Sequence, residues 1–287
     1  MSARRRTLIL GAGGPAAIAW EIALIAGLAR SGVDIRSADL LVGTSAGSVV
    51  AAQITSVLDI EDLYRQQVDP QRQVAELQPT VDFNQLKARI AQVKEGSGEP
   101  IESLRRLGAL ALATQTISES ERRAVIAARL KANTWPERAL LAIAVDVASG
   151  ERRVFDRTSG VNLIDAVAAS CAVPGVWPPV TISGHRYMDG GTYATENADL
   201  ALGCERILIL ALTPRTPPFG VVPLDSALTV LRRSGAVVEV VRPDEATETA
   251  FASVRGDLLD PTVRERAARA GREQGGSLAP RLSAFWC

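Results

Sequence analysis

The sequence predicts an α/β protein in which helices cover both faces of a largely parallel central sheet. Short apolar runs, which suit buried strands, alternate along the chain with Ala- and Leu-rich stretches that suit helices. The 287 residues are 47% hydrophobic and 22% charged, a composition that supports a sizeable buried core. We therefore expect a single folded domain over residues 1–287.

The N-terminal half begins with two strand–helix units. Residues 8–10 form an apolar run that ends at glycines, and residues 16–30 predict a helix that stops at Ser31-Gly32. Residues 40–42 predict the second strand, and residues 48–53 predict the helix that follows it. Three later apolar runs predict further strands, at residues 140–145, 152–155 and 206–212.

Two segments lie outside this alternation. Residues 60–137 are mostly polar and helical in pattern, so we expect a helical cap or insertion over the sheet. After Pro214 the chain becomes proline-rich and then predicts helices at residues 224–232 and 262–274. Residues 214–287 are therefore expected to form a C-terminal helical extension.

Composition excludes several classes of function. Lys plus Arg and Asp plus Glu both number 32, and this balance argues against nucleic acid as a partner. Three widely spaced cysteines and one histidine give neither a disulfide framework nor a metal-binding pattern, so we expect no metal and no cofactor. The apolar runs near the N-terminus are too short for a signal peptide or a bilayer span, which predicts a cytoplasmic protein with at most transient membrane contact.

The pattern Gly43-x-Ser45-x-Gly47 lies between the second predicted strand and its helix. A nucleophile elbow needs this spacing, because the serine occupies a strained turn in which neighbouring side chains would clash. The helix that follows points its N-terminal amides towards the serine and favours negative charge there. The alternative is an ordinary tight turn between a strand and a helix.

A glycine loop, Gly11-Ala12-Gly13-Gly14, follows the first predicted strand. Its spacing does not match the dinucleotide-binding pattern G-x-G-x-x-G, because position 16 is alanine, and no acidic ribose partner is evident. Its backbone amides would instead suit an oxyanion hole beside the candidate nucleophile on the next strand. The structural alternative is close packing of the helix on the strand.

Two residues compete for the role of general base. His185 is the one histidine of the chain, and it lies in a predicted hairpin with a glycine turn, where a histidine is usually a solvated side chain. Asp189 ends an apolar run and precedes Gly190-Gly191. A carboxylate beside a serine hydroxyl serves as its base if the surroundings raise its proton affinity. The alternative is that Asp-Gly-Gly only forms a turn.

Taken in order, the glycine loop, the Gly43–Gly47 pattern and Asp189-Gly190-Gly191 resemble the signature of bacterial patatin-like phospholipases. Residues 145–151 and 168–180 are also similar to that family, so the resemblance covers about residues 7–212. It implies a three-layer α/β/α sandwich and a Ser–Asp dyad that hydrolyses acyl esters of lipids. Carried over to this chain, Ser45 is the nucleophile, Asp189 is the base, and the amides of Gly11, Ala12, Gly13 and Gly14 form the oxyanion hole.

The chain departs from that signature in two places. The Arg or Lys that usually follows the glycine loop is absent near Ala16, and the usual Asn-x-Pro does not follow Gly191. The first departure puts a preference for phospholipid head groups in doubt. Alongside a lipid or acyl-ester hydrolase, an acyltransferase or thioesterase with the same dyad and a non-catalytic lipid-binding scaffold stay open.

Overall fold

The computed structural model describes residues 6–79, 81–95, 98–212, 219–254 and 257–287. The strands in these ranges are β1 (Arg6–Leu10), β2 (Leu40–Thr44), β3 (Ala139–Asp146), β4 (Arg152–Phe155), β5 (Val180–Ile182), β6 (His185–Asp189), β7 (Arg206–Leu210) and β8 (Val237–Val241). The α-helices are α1 (Gly14–Arg30), α2 (Ala46–Ile54), α3 (Ile60–Val68), α4 (Phe83–Glu95), α5 (Pro100–Ala113), α6 (Glu119–Leu130), α7 (Leu163–Ser170), α8 (Leu224–Arg233), α9 (Glu245–Ala252) and α10 (Arg264–Trp286).

The strands form one mixed sheet in the order β5-β6-β3-β2-β1-β7-β8, with β4 paired to β3. The five strands β3, β2, β1, β7 and β8 run parallel, whereas β4, β5 and β6 join antiparallel at the β3 side. The predicted, mostly parallel sheet is therefore confirmed. Because β1 and β2 are neighbours, the loops that follow them meet at the same edge of the sheet.

Side chains of the central strands alternate between two cores. Leu8 and Leu10 of β1 pack into a large core with helices α1, α2 and α10, whereas Ile9 packs into a second core with Leu228 and Leu231 of α8. Helices thus cover both faces of the sheet, and the predicted three-layer α/β/α arrangement is confirmed. Burial on both faces explains why these strands are continuous apolar runs.

The C-terminal segment, expected to form a helical extension, contains a strand as well as helices. Residues 237–241 form β8, which pairs with β7 and ends the sheet. The predicted helix at 262–274 begins at Arg264 and continues to Trp286, and this helix packs along α1. The prolines at 214, 217 and 218 lie outside the described residues.

The segment 60–137 is helical, as its pattern predicts, and contains α3, α4, α5 and α6. Helices α4 and α5 pack on each other, while α6 packs on α7 and α2. This arrangement brings α6 towards the edge of the sheet where β2 ends. Among the described residues, we find no helix that combines the length and the apolar character needed to cross a membrane.

Candidate active site

Ser45 occupies a strained turn between β2 and α2. Its backbone has φ 53° and ψ −117°, a conformation that residues with a side chain rarely adopt. Glycine is required on both sides of it. A Cβ atom on Gly43 would lie 2.6 Å from the Ser48 Cα, and one on Gly47 would lie 2.0 Å from the Leu10 carbonyl oxygen. The spacing predicted for a nucleophile elbow therefore has a steric cause in this fold.

The structure brings Ser45 and Asp189 together. The Ser45 hydroxyl donates a hydrogen bond of 2.6 Å to Asp189 Oδ2, and both residues are 5% exposed. Asp189 ends β6, which pairs with β3 at Ala144. Its other carboxylate oxygen, Oδ1, accepts the Gly191 N–H at 2.7 Å, so the side chain is held from two sides. A carboxylate in this position has the geometry required of a base for the serine proton.

The surroundings of Asp189 favour proton uptake. Burial raises the pKa of Asp189 to about 6, while the hydrogen bonds from Ser45 and Gly191 and the charge of Arg122 act in the opposite direction. Desolvation outweighs the two hydrogen bonds and the charge of Arg122 because the carboxylate is enclosed by protein. A carboxyl with a pKa near 6 is ionised at neutral pH and still accepts a proton readily.

His185 lies at the opposite end of β6 from Asp189. Asp189 is four residue steps along the extended strand from His185, which corresponds to about 13 Å. The ring is exposed, and its Nδ1 lies 3.0 Å from Asp146 Oδ2. A wide groove of about 580 Å³ opens there, and neither Ser45 nor Asp189 lines it. The structure therefore does not bring His185 to the candidate nucleophile.

The amides of the glycine loop are not equally available. The Gly11 N–H donates to Leu210 O at 3.1 Å and the Ala12 N–H donates to Thr195 O at 2.9 Å. An amide carries one proton, so the prediction that Gly11 and Ala12 contribute to an oxyanion hole is wrong in this conformation. The amides of Gly13 and Gly14 have no acceptor among the described residues, and both residues line the same cavity as Ser45.

The glycine loop and the serine turn are joined directly. The Gly47 N–H donates to Gly11 O at 3.1 Å, which fixes the loop after β1 against the start of α2. Gly13 and Gly14 both have positive φ, at 157° and 59°, and side chains there would strike Leu212 and the Leu258 carbonyl. Close packing and open amides therefore apply to the same two glycines, Gly13 and Gly14.

A cavity of about 280 Å³ adjoins Ser45 and Asp189. Apart from the loop residues, its walls are mainly apolar and come from several elements: Ile90 of α4, Leu107 of α5, and Val173, Phe219, Leu258 and Leu259. Helices of the 60–137 segment thus form part of the wall. A space of this kind suits a hydrocarbon chain attached to a group at Ser45.

A family model of the patatin-like phospholipases matches residues 8–202, which include the glycine loop, Ser45 and Asp189. The chain belongs to the patatin-like phospholipase family. Membership indicates a lipid acyl hydrolase in general, in agreement with the resemblance noted in the sequence.

Two solved structures are similar to this patatin-like phospholipase. VipD from Legionella pneumophila is 12% identical, with a TM-score of 0.47, and the match covers 97% of this chain and 67% of that one. The type III effector protein ExoU is 13% identical, with a TM-score of 0.43, and the match covers 97% of this chain and 53% of that one. This chain thus spans about half the length of the ExoU chain. No curated protein matches the sequence of this chain.

Sequence reasoning missed the residues that hold the Ser45 backbone in this patatin-like phospholipase. The Ser45 N–H donates to Ser170 Oγ at 2.9 Å, so that amide is unavailable to a ligand. The Ser45 carbonyl accepts the Ser48 hydroxyl at 2.6 Å and the Cys171 thiol at 3.2 Å. Burial raises the pKa of Cys171 to about 11, which keeps it a neutral thiol. The sequence signal that could have indicated these contacts is the pair Ser170-Cys171, two small polar residues at the end of the alanine-rich helix α7.

Proposed function

We propose that this protein is a serine acyl hydrolase that cleaves carboxylic esters of lipids through an acyl-Ser45 intermediate. The observation that carries the proposal is the 2.6 Å hydrogen bond between the Ser45 hydroxyl and Asp189 Oδ2. The hydroxyl proton already points at a buried carboxylate whose pKa is raised to about 6. In this proposal Asp189 is the general base, and no histidine takes part.

In the acylation step, Asp189 accepts the Ser45 proton as the serine oxygen attacks the ester carbonyl carbon. The carbonyl oxygen becomes an oxyanion, and the amides of Gly13 and Gly14 are the candidate donors to it. Helix α2 begins at the next residue, and the positive end of its dipole also stabilises the negative charge of the oxyanion. Collapse of the tetrahedral intermediate breaks the ester C–O bond, and Asp189 returns the proton to the leaving alcohol.

In the deacylation step, a water molecule attacks the acyl-Ser45 carbonyl and gives its proton to Asp189. The products are a carboxylic acid and free Ser45, which regains its proton from Asp189. An acyltransferase or thioesterase would differ only in the thiol or alcohol that leaves or attacks. Product analysis with and without an added alcohol separates hydrolysis from transfer.

The apolar cavity beside Ser45 is the proposed site of the acyl chain. Ile90 and Leu107 belong to the 60–137 segment, so we propose that this segment acts as a cap and helps to select the chain. The catalytic unit and its cap would then belong to one domain. Chain-length preference of Leu107→Trp measures this role, since a larger side chain should shorten the preferred acyl chain.

The test is labelling with a fluorophosphonate, which reacts covalently with an activated serine, followed by mapping of the modified peptide. We expect modification at Ser45, and we expect Ser45→Ala to lose both labelling and turnover of a p-nitrophenyl ester. Ser226→Ala, which replaces an exposed serine of α8, is the matched control and should still be labelled at Ser45. Normal turnover by a folded Ser45→Ala protein would overturn the proposal.

A further inference from the structure

Three arginines converge on one carboxylate beside the candidate nucleophile. Arg122 donates to Glu76 Oε1 at 2.6 Å, Arg129 pairs with Glu76 Oε2, and Arg264 lies 3.7 Å from Oε2. The three arginine side chains are 6% exposed and that of Glu76 is 5% exposed. We call these four residues the arginine recess. The Arg122 guanidinium carbon also lies over the Trp177 ring, 4.0 Å from its centroid.

The arginine recess carries an excess of positive charge. Burial lowers the pKa of Arg122, Arg129 and Arg264 to about 10, so all three stay cationic at neutral pH. One carboxylate, Glu76, lies within ion-pair distance of them in the described residues. The negative charge of Asp189 also raises the pKa of Arg122, over a longer distance. Even with both carboxylates ionised, one positive charge remains uncompensated.

The guanidinium groups also have unused donors. The Nε atoms of Arg122 and Arg264 are buried and have no hydrogen-bond partner among the described residues. Both residues are 5% exposed. A buried N–H without an acceptor costs free energy, and a charged donor costs more than a neutral one. Such donors therefore indicate a site for an anion that is larger than the carboxylate of Glu76.

The position of the arginine recess relates it to the ester. A small cavity of about 20 Å³ is lined by Ser45, Glu76, Arg122 and Arg129, among others. It shares Ser45, Gly14, Val173 and Leu259 with the apolar cavity. Ser45 thus lies between an apolar space and a cationic one. An ester at Ser45 would direct its acyl chain into the first and its alcohol portion towards the second.

We infer that the arginine recess is a subsite for a phosphate group on the alcohol portion of the substrate, and that Glu76 occupies this subsite in the free enzyme. The inference rests on the proposed ester hydrolysis at Ser45 and adds the class of head group. Planar guanidinium groups bind phosphate oxygens in pairs. The recess thereby supplies the cation that the sequence lacks near Ala16.

Glu76 must leave before a phosphate enters. The free space of about 20 Å³ holds one water-sized group and is too small for a phosphate beside the carboxylate. Glu76 belongs to a stretch without helix or strand between α3 and α4, so its withdrawal does not break a regular element. Glu76 is therefore an internal competitor of the substrate phosphate, and its removal should strengthen phosphate binding.

The test measures binding without turnover, in the Ser45→Ala background. The ligands are a monoacylglycerol phosphate and a monoacylglycerol with the same octanoyl chain, with inorganic phosphate alone as a third probe. We expect the phosphate-bearing lipid to bind more tightly, and Arg122→Gln to reduce this preference about 10- to 100-fold. Glu76→Gln should increase it. Arg123→Gln is the matched control, since Arg123 is the adjacent, exposed arginine of α6 and pairs with Asp165.

Opposite effects of Arg122→Gln and Glu76→Gln would not arise from a general loss of stability. If Arg122→Gln does not fold, Arg122→Lys keeps the charge without the planar fork and should show a smaller loss. Equal binding of the two lipids, or an unchanged preference in folded Arg122→Gln, would overturn the inference. So would inorganic phosphate that binds as tightly as the phosphate-bearing lipid, which would indicate a site for free phosphate. Because lipid binding is measured in the Ser45→Ala background, the result does not depend on hydrolysis. Failure of the proposed hydrolysis and failure of the phosphate subsite can therefore be told apart.

Discussion

Replacement of Asp189 by asparagine separates a catalytic base from a residue that only shapes a turn. Burial raises the pKa of Asp189 from 3.8 to about 6. At about 1.4 kcal/mol per pH unit, keeping this carboxylate ionised in the folded protein costs about 3 kcal/mol above pH 6. The folded protein binds the proton more tightly than the unfolded chain. The stability from the neutral carboxyl is therefore fully present below pH 3.8 and is lost as the pH rises through 6.

The uncharged side chain of the Asp189→Asn variant would not carry this cost. The amide keeps an oxygen for the Gly191 N–H, and its NH₂ can donate to the Ser45 hydroxyl. We therefore expect Asp189→Asn to be more stable than the parent protein by up to about 3 kcal/mol at pH 8 and equally stable near pH 4. The amide cannot accept the serine proton, so kcat should fall by about 10²- to 10⁴-fold.

The assay pairs urea unfolding with turnover of a p-nitrophenyl ester, each measured between pH 4 and pH 8. In the parent protein, kcat should rise with pH through an apparent pKa near 6, because the base must be ionised. A variant that is less stable at pH 8 but turns over normally would show that Asp189 shapes the Gly190-Gly191 turn and does not act as a base. That result would refute the reasoning.

Three further substitutions test the site. Ser45→Gly should be about 1–2 kcal/mol more stable than Ser45→Ala in urea unfolding, because glycine adopts φ 53° without strain. If Ser45→Ala were the more stable variant, the turn at residue 45 would be unstrained. His185→Ala should keep kcat/KM within a few-fold, since its ring is exposed at the far end of β6; a loss as large as that of the serine variant would restore a Ser-His-Asp triad. Gly47→Ala should lower the free energy of unfolding by about 3 kcal/mol or more, because its Cβ would lie 2.0 Å from the carbonyl oxygen of Leu10 in β1. Gly98→Ala is the control in the same urea measurement, since nothing lies within 4 Å of a Cβ there.

The sequence by itself determined the elements and motifs that depend on local patterns. Apolar runs buried on both faces predicted β1, β2, β3 and β7, because such strands need no polar side. Glycine positions identified the turn at Ser45, since only glycine tolerates the contacts made at residues 43 and 47. The resemblance to the patatin-like phospholipases implied that Ser45 and Asp189 would meet, and their side-chain oxygens lie 2.6 Å apart.

Tertiary structure decided what depends on partners distant in sequence. β8 is a strand because β7 offers it an edge, although its exposed Val237 and central Glu239 obscured the pattern. The amides of Gly11 and Ala12 are closed by carbonyls almost 200 residues away, which no local rule reveals. The arginine recess is likewise invisible in the sequence. Its members come from α6, α10 and a loop. Because these charged side chains are buried, each needs a counterion, either from another member or from a ligand.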